Sequence, residues 1–105
     1  MNVTNLKDYK VYSFQSQEDD EGGKYEGWSD TEILVPAYIY PASGQVQAEA
    51  FGERLAYMLN MLVNLPCSIK EKDGVCVDGD RVDYRVRSIQ YYTEHAQVLL
   101  ERVVI

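Results

Sequence analysis

RVDYRVRSIQYY, residues 81–92, reads as a β-strand. Val82, Tyr84 and Val86 point one way, while Arg81, Asp83, Arg85 and Arg87 point the other, a period of two that fits a strand with one covered face. The phase breaks at Arg87-Ser88 before Ile89, which predicts a bulge. Thr93, Glu94 and His95 make a polar turn, and Gln97 to Val104 form the last strand. Upstream, Asp78-Gly79-Asp80 is a second turn. Before it, Asp73-Gly74 lies between short runs at 67–72 and 75–77, a strong signal for a two-residue hairpin. That hairpin would set Cys76 opposite Glu71 and Cys67 opposite Asp80. The two thiols then do not face each other, and both read as small, half-buried hydrophobes rather than a bridge.

The same alternation runs towards the N-terminus. In KDYKVYSFQ (7–15), Tyr9, Val11 and Ser13 share a face opposite Lys10, Tyr12 and Phe14. SQEDDEGGKYEG (16–27) is polar and acidic, and reads as an exposed hairpin loop with self-repelling charge, expected to be mobile. In WSDTEILVPAYIY (28–40) both faces are apolar, as in a strand buried on two sides or bent around a small barrel. Pro36 has no N–H for a ladder and needs an edge or a bulge. PASGQVQAEAFGE (41–53) reads as a loop or a short helix, capped by Ser43 and ending near Gly52. RLAYMLNMLVN (54–64) would be acceptable as a helix on propensity. The strict alternation of Leu55, Tyr57, Leu59, Met61 and Val63 favours a strand, ended by Leu65-Pro66. The sum is a single mainly-β domain, a small six-stranded β-barrel or sandwich with long loops and at most one short helix.

Charge is unevenly spread along the 105 residues. The chain has a net charge of −7, and residues 17–32 hold seven of its seventeen acids with one of its ten basic residues, a net −6. The rest is nearly neutral. Without a basic stripe, phosphate backbones are poor partners. No run is long enough to span a membrane, and the N-terminal residues lack the apolar core of a signal peptide, so a cytosolic protein is expected. Nine tyrosines suit half-buried sheet faces and interfaces equally.

Catalytic signals are sparse. The one histidine, His95, reads as a solvated turn residue, and the two cysteines lack zinc spacing. No phosphate-binding glycine loop or nucleophile elbow occurs. The acids at 18–21 lack the spacing of a calcium loop. A hydrolytic carboxylate pair stays open, since any fold can bring distant acids together. No enzyme activity, cofactor or metal is expected. An interaction role is suggested instead by charge separation: the acids Glu18, Asp19, Asp20 and Glu21 of one subunit and the row Arg81, Arg85, Arg87 of the next would meet in a head-to-tail ring.

Several ordered segments carry a resemblance. They are Tyr12-Ser13-Phe14-Gln15, Asp20-Glu21-Gly22-Gly23-Lys24, Trp28, Ala37-Tyr38-Ile39-Tyr40-Pro41, the Ser43/Gln45/Gln47 stretch, and Gly79 with Tyr84-Arg85-Val86 and Ser88-Ile89. Across about residues 9–104 the order resembles the small head-closure (stopper, or head-tail adaptor) proteins of siphophages. The resemblance implies a small β-barrel that joins the portal and adaptor proteins after packaging, forms a homo-oligomeric ring that retains DNA, and offers a docking surface to tail proteins. DNA would pass through without specific binding. Before assembly the chain would lie in the host cytoplasm, where a monomer is the safe state but the free oligomeric state stays open; the assembled chain would be part of the virion, with no membrane partner. By position, the channel-facing segment would comprise Ser43, Gly44, Gln45, Gln47, Glu49 and Phe51. The run from 41 to 66 is more helical in appearance than that family's. Tail-completion or minor capsid proteins, and non-viral β-barrel protein-binding modules, share these features.

Overall fold

The computed structural model describes residues 5–18 and 22–103. Its six strands are β1 (Lys7–Glu18), β2 (Lys24–Pro41), β3 (Met58–Asn64), β4 (Gly74–Cys76), β5 (Tyr84–Tyr91) and β6 (His95–Arg102). They close into an antiparallel barrel in the order β1-β2-β3-β6-β5-β4. The mainly-β expectation holds, and of its two forms the barrel is the one adopted. Among the described residues a single α-helix, α1 (Gln45–Phe51), leads into a 3-10 segment, Gly52–Tyr57.

Alternation explains the interior. Ile39, Met61, Val98 and Ile89 sit side by side across four strands. Val11 meets Val75 where β4 closes the barrel onto β1. Met61, Val75, Val86, Val98 and Leu100 are fully buried, so the lumen is packed with side chains, as in other barrels of small strand number. A second, smaller core lies outside the barrel wall. Ala42, Met58 and Leu99 are buried there beneath Phe51 and Leu55 of the helical segment.

Several expectations change. The strands around the acidic loop are longer than read: pairing continues from Gln15↔Gly27 to Glu18↔Lys24, so the ladder occupies most of 16–27. Backbone pairing tolerates the polar side chains that argued for a loop. In β2, Val35 and Ala37 face the core, while Leu34 and Tyr38 are exposed, so the strand wraps a barrel and is not buried on both sides. Pro36 pairs with Asp8 of β1, and β3 joins β2 only from Tyr38 onwards, which leaves an edge there as proline requires. Residues 54–57 belong to the 3-10 turn, and the predicted strand begins at Met58. The bulge at Arg87-Ser88 is present: β5 shifts register between Val86 and Ser88.

The Asp73-Gly74 hairpin is overturned. Residues 67–72 form no strand, and β4 pairs instead with β1 and β5 (Gly74↔Arg85). Asp73 is fully buried, and its carboxylate accepts the N–H of Lys70 (2.9 Å) and of Phe14 (3.0 Å). The residue therefore pins a loop to β1 rather than turning a hairpin. Gly74 is needed for proximity: an added Cβ would lie 2.7 Å from a Val82 methyl. Both cysteines are free, Cys67 half-buried and Cys76 buried.

Candidate functional site

Because the lumen is filled, any recognition uses the outer surface. An open cleft of about 770 Å³ lies there. Phe14 and Trp28, cross-strand partners of β1 and β2, form one wall. Tyr57 and Arg54 contribute from the 3-10 segment, Arg85 from β5, and Glu101, Arg102 and Val103 from β6 and just beyond it. Trp28 is oriented by its indole N–H, which donates to the carbonyl of Lys72 at 2.9 Å. The ammonium of Lys72 lies over the Phe14 ring, 5.5 Å from its centre.

Glu101 organises the cationic side. Its side chain is mostly buried, and it pairs with Arg54, Arg85 (3.4 Å) and Arg87 (3.3 Å). Register explains the convergence: Arg85 is its direct partner on β5, and the bulge after Val86 brings Arg87 to the same neighbour. Burial pushes the Glu101 carboxyl up. The hydrogen bond and charge of Arg54, with Arg85 and Arg87, outweigh this and hold it below the ordinary value. Arg87 also lies over the Phe51 ring at 5.4 Å, which ties β5 to the helical segment.

The row Arg81, Arg85, Arg87 is therefore not a uniform solvated face. Arg85 and Arg87 share one carboxylate within the chain, while Arg81 is exposed in the turn before β5 and takes no part in that cluster. On the acidic side of the predicted interface, Glu18 is the last residue of β1, and Asp19, Asp20 and Glu21 lie outside the described residues.

The predicted channel segment is also divided. Ser43, Gly44, Gln45 and Glu49 are exposed, and Gln45 donates to Glu49. Gln47 and Phe51 turn towards the barrel. The Gln47 amide donates to Asn60 Oδ1 at 3.1 Å, and Gln97 donates to the same oxygen. Ser43 does not cap the helix: Gly44 occupies that position, and the Ser43 N–H donates to Gln47 Oε1. That contact satisfies an N–H ahead of the helix, and no side chain caps the first turn. His95 is also corrected. Its ring stacks on Tyr92 at 4.8 Å, and Nδ1 is buried without a hydrogen-bond partner, so it is not a solvated turn residue.

Sequence reading missed Arg54, Arg102, Glu101 and the aromatic wall as members of one site. The available signal was Glu101, an acid among the apolar residues of the final strand. Among the described residues, no three His, Cys, Asp or Glu side chains are grouped to hold a metal. No described helix is long and apolar enough to cross a membrane. No protein-family model and no curated protein matches the chain.

Proposed function

We propose that this chain is a structural connector protein, a ring-forming element of the head-tail junction of a tailed phage. It would sit under the portal and adaptor, retain packaged DNA and present a docking surface to the tail. The observation that carries this reading is a filled barrel that still exposes several large apolar side chains, most of them aromatic. Trp28, Leu34, Tyr38, Tyr57, Tyr91 and Tyr92 are all exposed. Exposed aromatics of this number mark contact surfaces, because tyrosine and tryptophan bury much area while keeping a polar tip satisfied. The ordered motifs from Tyr12 to Ile89 select the connector family among proteins with such surfaces. Exposed Ser43, Gln45 and Glu49 suit a channel lining that lets DNA pass, since they offer it no cation.

The test is binding of the purified chain to DNA-filled, tailless heads that carry portal and adaptor. Co-sedimentation with reduced DNA leakage is the expected result. Binding to tails and not to heads would move the role to tail completion. Binding to neither would leave a protein-binding barrel outside the virion.

A further inference from the structure

The cleft has an excess of positive charge in a chain that is strongly negative. Arg54, Arg85 and Arg102 line the cleft with a single carboxylate, Glu101, which pairs with Arg54 and Arg85. Two positive charges are therefore left over beside Phe14, Trp28 and Tyr57. Tyr57 and Trp28 are 59% and 36% exposed, so the aromatic wall is open to a partner. A complementary occupant is acidic and has enough extended backbone to lie along an aromatic surface.

This chain carries such a segment. Past Phe14↔Trp28, strands β1 and β2 pair only with each other. β4 reaches β1 only at Lys10–Tyr12, and β3 reaches β2 only from Tyr38. The pair thus continues beyond the barrel as a two-stranded arm as far as Glu18↔Lys24, and Asp19-Asp20-Glu21 follow Glu18 in the sequence. Four further residues carry Glu18 roughly 13 Å beyond Phe14. Phe14 and Trp28 are themselves a wall of the cleft, so the ladder leads away from the cleft of its own chain.

We infer that the acidic tip of the β1–β2 arm of one copy docks into the arginine-aromatic cleft of a second copy. Arm and cleft are different patches, so the contact is heterologous and closes a ring when repeated by rotation. The proposal rests on the ring-forming reading above and names its contact. It also replaces the simple arginine row with Arg54, Arg85 and Arg102, and adds an apolar wall that a charge row lacks.

The test is a charge swap in the full chain, followed by sedimentation velocity over a concentration series at low and high salt. Wild type should self-associate at low salt and high concentration, and dissociate on salt addition. Glu18→Lys with Asp19→Lys, Asp20→Lys and Glu21→Lys, or Arg54→Glu with Arg102→Glu, should each weaken association by roughly tenfold or more. Combining both sets in one chain should restore it, which a folding defect would not. Tyr57→Ser keeps every charge and should also weaken association. A wild type that stays monomeric at the highest concentration, or a combined variant that fails to associate, overturns the proposal. Binding of a single-stranded oligonucleotide that is lost with Arg54→Glu and Arg102→Glu would overturn it in favour of nucleic acid. Head binding separates the two readings. If heads capture the chain and the swap has no effect, the connector role stands and this contact falls. If the swap behaves as expected and heads are ignored, the contact stands without the connector role.

Discussion

At the scale of single residues, two buried carboxylates do different work. Asp73 satisfies backbone N–H groups of Lys70 and Phe14. Asp73→Ala leaves both donors without an acceptor and should cost about 2–4 kcal/mol, measured by urea unfolding. Asp73→Asn keeps one acceptor oxygen and should cost less. Glu101 answers arginines instead, and its effect depends on pH. The folded protein keeps it ionised below the ordinary value of 4.5. In that window the unfolded chain binds the proton first, so stability present at neutral pH is lost as pH falls through the folded pKa. Glu101→Gln should lower the urea midpoint near neutrality and flatten its decline on the acid side. An unchanged slope would mean the arginines do not set the Glu101 titration. The thiols offer a third measurement. Burial raises the Cys76 pKa, so a thiol reagent should label Cys67 first and Cys76 only on unfolding.

At the scale of elements, the helical segment is an attached piece and not part of the barrel. Seven residues of α-helix are marginal alone. Its stability comes from Phe51 and Leu55 over Met58 and Leu99, from Gln47 on Asn60, and from Arg54 on Glu101. Phe51→Ala removes both the apolar cover and the ring beneath Arg87. It should cost on the order of 2 kcal/mol. Hydrogen exchange should then quicken over 45–57 and stay slow in β3, β5 and β6. Equal acceleration throughout would show that segment and barrel unfold together.

At the scale of the whole molecule, closure depends on its smallest strand. β4 has three residues, all buried, and alone joins β1 to β5. Val75 lies between Val11 and Tyr84 at that seam. Gly74→Ala, which forces a methyl group against Val82, should cost about 1–3 kcal/mol and loosen the seam. Exchange of the β1 and β4 amides would report it. Closure also explains why contact surfaces lie outside: a filled barrel leaves edges and recognition groups only on its rim, its arm and its outer wall.

Local pattern alone determined the strand character of 84–91, the bulge after Val86, the inward set Met61 and Val63, the helix end at Gly52 and the mainly-β fold. Each follows from periodicity or backbone preference, which act over a few residues. Only the tertiary structure decided the fate of Asp73-Gly74, whose turn propensity gave way to two backbone donors from a distant strand and a nearby loop. It alone brought Arg54, Arg85, Arg87 and Glu101 together, up to 47 positions apart in the chain. It also extended the acidic loop into a paired arm and turned Gln47 and Phe51 inward. Long-range pairing and burial energies are larger than the local preferences they overrode, and they depend on which strands become neighbours, a fact that no short window of sequence contains.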